Sequence, residues 1–125
     1  MILMDTSVLV DSLSGPKRSA PKLRSAIERG ERLLLPSIVL YEWLRGPRMK
    51  AELEAQEVLF PSKSAVPFGP NEAIAASRLY KSLPRPPGRE VDIAIAAMAI
   101  VRDAALWTLN ERDFSDIPGL RLFSI

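Results

Sequence analysis

Apolar residues recur along this chain in short runs that alternate with stretches of helical spacing. Residues 1–4 form an apolar run that stops at Asp5, after which Val8, Leu9 and Leu13 return at helical intervals, predicting a strand, a cap and a helix. Pro21 suits the first turn of a second helix that ends at Gly30. Residues 32–35 predict a buried strand, Pro36 and Ser37 reset the chain, and residues 38–45 read as a helix closed by Gly46 and Pro47. A polar helix over 49–59, a strand near 65–68 and an amphipathic helix over 71–83 follow, the last with Ala73, Ala76, Leu79 and Tyr80 on one side. Residues 84–88, Pro-Arg-Pro-Pro-Gly, read as a turn. From 91 to 101 every residue except Asp92 is apolar, which predicts a core helix whose alanines allow close approach to a sheet. Residues 104–109 predict a central strand, 110–116 a turn or helical turn, and 120–125 an edge strand. Repeated β-then-α units predict an α/β fold, with a mostly parallel central sheet of four to five strands and helices on both faces.

The length of 125 residues suits one domain, 1–125, with a single core. No apolar run approaches the roughly 20 residues of a membrane span. No basic-then-apolar leader opens the chain, so the expectation is a cytoplasmic protein without a membrane partner. Composition changes the picture more sharply through what it lacks. With no histidine and no cysteine, a Ser-His-Asp triad, a histidine base, a thiol nucleophile and a His/Cys zinc site are all excluded.

What remains is carboxylate chemistry. Asp5 ends the first strand, where ligands gather in open α/β sheets, although a helix cap would account for it equally well. Glu42 lies within Ile38-Val39-Leu40-Tyr41-Glu42-Trp43-Leu44, an expensive place for a charge unless it is paired, for instance with Arg45, or bound. Asp92 opens the apolar helix and Asp113 follows a strand end; capping and turn chemistry compete at both, and Asp116 rivals Asp113. Three of the four fall at or near β-to-α junctions, which a parallel sheet brings together. Clustered carboxylates bind Mg²⁺ or Mn²⁺ and act on phosphate esters, so the residues point to a metal-dependent phosphodiesterase. The net charge is only +2, but 17 basic residues against the 11 other acids leave +6 on the surface once those four are neutralised. Such a surface suits a polyanion.

Four segments together resemble the PIN-domain ribonucleases, and more narrowly the VapC type of toxin. They are Met4-Asp5-Thr6-Ser7-Val8-Leu9-Val10, Tyr41-Glu42-Trp43-Leu44-Arg45-Gly46, Val91-Asp92-Ile93-Ala94-Ile95-Ala96-Ala97 and Thr108-Leu109-Asn110-Glu111-Arg112-Asp113-Phe114. The resemblance implies a PIN fold and an RNA substrate cut with Mg²⁺ or Mn²⁺. It also implies an acidic pocket of Asp5, Glu42, Asp92 and Asp113, with Asp5, Asp92 and Asp113 as the main metal ligands. Thr6, Ser7, Thr108 and Asn110 would support that pocket. Family members often carry asparagine where this chain has Ser7, so the hydrogen bond supporting Asp5 is expected to be shorter or absent. Arg85 and Arg89 are candidate contacts to RNA phosphates. VapC-like proteins are held inactive by an antitoxin, and the apolar helix around Trp43 and Leu44 leads to the expectation of a homodimer with a groove for that antitoxin. Three other readings compete. A haloacid-dehalogenase phosphatase would need an aspartate where Ser7 stands, a signalling receiver would need an acidic pair after the first strand, and a PIN-like binding module or housekeeping nuclease would share the fold.

Overall fold

Strand side chains alternate between the two faces of a sheet, yet Ile2, Leu3 and Met4 are all at most 2% exposed. The first strand, β1 (Ile2–Met4), is therefore covered on both sides and forms the centre of the molecule. The computed structural model describes residues 1–124. After β1 come α1 (Thr6–Leu13), α2 (Ala20–Glu28), β2 (Leu33–Leu34), α3 (Ser37–Arg45), α4 (Lys50–Leu59), α5 (Pro70–Ser82), α6 (Glu90–Val101) and β3 (Ala105–Trp107), with 3-10 turns at Ser62–Ser64 and Glu111–Phe114. The sheet order is β2-β1-β3 and both pairings are parallel. Ile2 stands opposite Leu33 on one side and Ala105 on the other, so β1 and β3 end together at Met4 and Trp107.

The expected α/β architecture with a parallel sheet is present, but among the described residues the sheet has three strands and not four to five. The two missing strands survive as single parallel bridges, Pro36 with Val66 and Leu106 with Leu122. At Val66 the ladder cannot extend because Pro36 and Pro67 lack a backbone N–H and Ser37 already opens α3. Leu106 donates to the Arg121 carbonyl and accepts from Phe123, and β3 then stops at Trp107. Ile125, part of the predicted edge strand, lies outside the described residues. The central strand is β1, whereas residues 104–109 had been expected to be central.

Helix limits follow the local chemistry. Gly30 takes φ +79° just beyond α2, a conformation that glycine accepts without a Cβ clash. Helix α6 buries Ile93, Ile95, Ala96, Ala97, Met98 and Ala99 and packs on β3 and α5. On α5 the inward face carries Glu72, Ala76, Leu79 and Tyr80, while Ala73, expected there, is exposed. Glu72 can be buried because its Oε1 accepts the Gly69 N–H at 2.9 Å and its Oε2 accepts Arg102 Nη1 at 2.7 Å. No described helix is long and apolar enough to cross a membrane. Because β1 is enclosed on both faces, Leu3→Ala is expected to cost about 2–5 kcal/mol of unfolding free energy. Urea denaturation measures it.

Candidate active site at the carboxyl edge of the sheet

Asp5 is 5% exposed and sits one residue past β1, where its backbone N–H donates to the Trp107 carbonyl at 2.9 Å. Three donors converge on its carboxylate. The Thr6 N–H reaches Oδ1 at 2.8 Å, which makes Asp5 the N-cap of α1, and the hydroxyls of Ser7 and Thr108 reach Oδ2 at 2.9 and 2.7 Å. The cap that the sequence allows at Asp5 is therefore formed, and it is compatible with a role in a site. Thr6 and Ser7, the rival caps, have other roles. Thr6 Oγ1 donates to Glu42 Oε1 at 2.5 Å. Ser7 Oγ, besides donating to Asp5, accepts the Leu109 N–H at 3.0 Å, and Thr108 Oγ1 likewise accepts the Asn110 N–H at 3.0 Å. The hydrogen bond from position 7 to Asp5, expected to be shorter or absent with serine, is thus formed at ordinary length.

Glu42 projects from α3 with a side chain 19% exposed, and its second oxygen lies 3.4 Å from Arg45 Nη2. The exposure of α3 differs from expectation: Trp43 is fully buried beneath the Arg48 guanidinium, and the exposed apolar residues are Tyr41 and Leu44. Asp92 is the third residue of α6 and does not cap it, that position being held by Arg89. Its carboxylate is half-buried and receives no hydrogen bond among the described residues. Asp113 is exposed on the Glu111–Phe114 turn, whose N-cap is Asn110.

Asp113 and its rival Asp116 differ in their partners. The guanidinium grips Asp116 in bidentate fashion at 2.6 and 3.0 Å and also donates to the backbone carbonyls of Asp113 and Pro84. Asp116 is thereby committed to a structural clamp that ties the start of α6 to the turn carrying Asp113. Arg89, proposed from sequence as a phosphate contact, is committed too. Arg85 stays exposed at φ +51°, with no ion pair among the described residues. Sequence reasoning missed the clamp because its partners are 27 positions apart and neither belongs to a local pattern. It also missed Lys22 of α2, which borders a cavity shared with Thr108, Asn110 and Asp113.

Electrostatics connect the four acids. Burial pushes the Asp92 carboxyl up to about 6, and the charges of Asp5, Asp113 and Glu42 push it the same way, against the pull of Arg89. As placed, no three acidic side chains among the described residues are close enough to hold one ion. The four are near enough to repel through space while remaining apart. This has a pH signature. The ionised form of Asp92 is disfavoured in the folded chain, so the resulting destabilisation is absent below the ordinary value of 3.8 and complete above about 6. Without added divalent ions, the Tm is expected to rise as pH falls from 7 toward 5. Asp92→Asn should stabilise the fold at pH 7 by about 1–3 kcal/mol. Thermal unfolding at several pH values checks both, and the gain should shrink as pH falls.

The PIN domain family profile matches residues 2–120. Ribonuclease VapC19 of Mycobacterium tuberculosis is 37% identical over 124 residues, covering 97% of this chain and 98% of its own. Two solved structures share the fold: DNA-bound VapBC from Salmonella typhimurium, with TM-score 0.79 and 23% identity over 98% of this chain and 96% of that one. The other is VapBC2 from Rickettsia felis bound to a promoter DNA fragment, with TM-score 0.74 and 20% identity over 98% of both chains. With the profile spanning nearly every residue and a relative 37% identical along its length, the chain belongs to the PIN domain family and groups within it with the VapC ribonucleases.

Proposed function

We propose that this protein is a metal-dependent endoribonuclease, a single domain over 1–125 that hydrolyses RNA phosphodiester bonds in the cytoplasm as the toxin of a toxin–antitoxin pair. The observation that carries the reading is that a half-buried carboxylate, Asp92, with no donor of its own among the described residues, lies within electrostatic reach of Asp5, Asp113 and Glu42, so that burial and these like charges together disfavour its ionised form. Such a group is relieved by a cation. The all-oxygen donor set of a chain without histidine or cysteine fits Mg²⁺ or Mn²⁺. Asp5, Asp92 and Asp113 are the proposed ligands. When bound, the ion supplies a Lewis acid that acidifies water and offsets phosphate charge.

The protein's own residues then have distinct tasks. About four acceptor positions exist on a carboxylate, and three on Asp5 are taken by Thr6, Ser7 and Thr108, which fixes its plane and leaves one direction free. Asp92 stands in the first turn of α6, where the helix dipole partly offsets the burial and like charges that disfavour its ionised form. Glu42, anchored through one oxygen by Thr6, orients the attacking water and takes up its proton. Arg89 and Asp116 hold Asp113 in place by its backbone. Arg85 is available to phosphates farther along the RNA.

Exposed Tyr41 and Leu44 on α3, and a hollow of about 450 Å³ lined by Leu13, Leu23, Ile27 and Leu59, are apolar surfaces for a second copy and for the antitoxin. The antitoxin reading is supported by the resemblance of the four acidic segments to the VapC type of toxin. Purified protein is expected to cleave RNA with Mg²⁺ or Mn²⁺, to lose cleavage in EDTA, and to lose at least about 100-fold in rate on Asp92→Asn with the fold retained. Cleavage that survives exhaustive chelation would overturn the metal assignment. Sedimentation is expected to give a dimer, and co-expression with the neighbouring gene product a stable complex. A strict monomer that captures no partner would leave a free-standing nuclease.

A further inference from the structure

Four carboxylates at one edge repel the polyanion they are proposed to cut, so the phosphates on either side of the scissile bond need cations nearby. The described ion pairs occupy Arg45, Lys50, Arg89, Arg102 and Arg121. Lys22 on α2 and Arg112 on the turn after β3 are both exposed and take part in none of them. These two residues, remote in sequence, line one cavity of about 670 Å³ whose wall also includes Thr108, Asp113 and a second exposed acid, Glu111. The cavity is therefore continuous with the acidic site. Its apolar side is formed by Leu109, 47% exposed, and by Phe123, which packs edge-to-face on Trp107 with centroids 5.6 Å apart. Asn110 adds an amide with both donor and acceptor groups.

We infer that this cavity is a nucleotide subsite: it takes one unpaired nucleotide of RNA adjoining the scissile phosphate, with flanking phosphates on Lys22 and Arg112. The base lies against Leu109 and Phe123 and meets Asn110 along its edge. The volume falls within the range of small-molecule sites, about 300–1,000 Å³. A base still paired in an A-form helix cannot enter such a space, so the subsite selects single-stranded or looped RNA. The inference rests on the nuclease reading for its orientation toward the acids, but its physical content is binding.

The test separates binding from cleavage. Anisotropy of a short fluorescent single-stranded oligoribonucleotide is measured in EDTA for the full chain, Lys22→Gln, Arg112→Gln, the double variant and Lys81→Gln, which removes an exposed cation on α5 outside the cavity. Each cavity variant is expected to bind about tenfold more weakly, and the double variant to flatten the slope of log K against log salt by about 1.4, at about 0.7 per lost phosphate contact. Lys81→Gln should match the wild type. In cleavage assays with Mg²⁺ the same cavity variants should raise KM and leave kcat within about twofold. Wild-type binding and salt slope in the double variant, an equal loss in Lys81→Gln, or no binding by the wild type would each overturn the subsite. Lys22- and Arg112-dependent binding without any cleavage would uphold it and remove the nuclease reading instead.

Discussion

The hydrogen bonding of one carboxylate governs the rest of the structure. Asp5 accepts from the first turn of α1 and from a hydroxyl beyond β3, while its own N–H pairs with Trp107. A buried charge must find such partners or cost several kcal/mol. Satisfying it pins the end of β1, the start of α1 and the end of β3 to one point. Ser7 and Thr108 extend the constraint, because each hydroxyl gives its proton to Asp5 and uses its lone pairs on the backbone of residues 109 and 110. The turn that carries Asp113 therefore leaves the sheet in a direction set by Asp5. Through Thr6, the same network reaches Glu42 on α3.

Two buried or half-buried carboxylates show how the fold separates structure from chemistry. Glu72 receives the Arg102 guanidinium and the Gly69 N–H, and the Arg102 hydrogen bond holds its carboxyl below the ordinary value in spite of burial. Asp92 is only half-buried but faces three other acids, and it moves the opposite way. A protein that can neutralise a buried acid on α5 and leaves another unneutralised on α6 concentrates unfavourable charge where a ligand can relieve it. Arginines divide along the same line. Arg89 and Arg102 are spent on holding the scaffold, whereas Lys22 and Arg112 face a cavity without an acidic partner among the described ion pairs.

Much of this was legible in the linear chain. Period and punctuation placed the helices within a few residues, since apolar spacing, Pro21 and Gly30 act locally on φ, ψ and hydrogen bonding. The absence of histidine and cysteine confined the chemistry to carboxylates, and the ordered motifs around Asp5, Glu42, Asp92 and Asp113 identified the family. The two outer strands were misread because an apolar run near a proline carries the same pattern whether it pairs over four residues or one. Ladder length depends on which N–H groups the neighbouring strand can still offer.

Tertiary structure decided what no local signal encodes. Glu72 displaces Ala73 from the buried face of α5 because Arg102, 30 positions away, supplies its counter-charge. The carboxylate of Asp116 and not that of Asp113 is held by Arg89, although turn chemistry favoured both equally, because the choice depends on where a guanidinium at the N-cap of α6 can reach. Trp43 turns inward and Tyr41 outward on a helix that sequence shows as apolar all round. Local preferences fix which elements form and which residue types are available for chemistry; distances between elements fix which charges meet. The latter arise from packing β1 between its neighbours and are not a property of any segment alone.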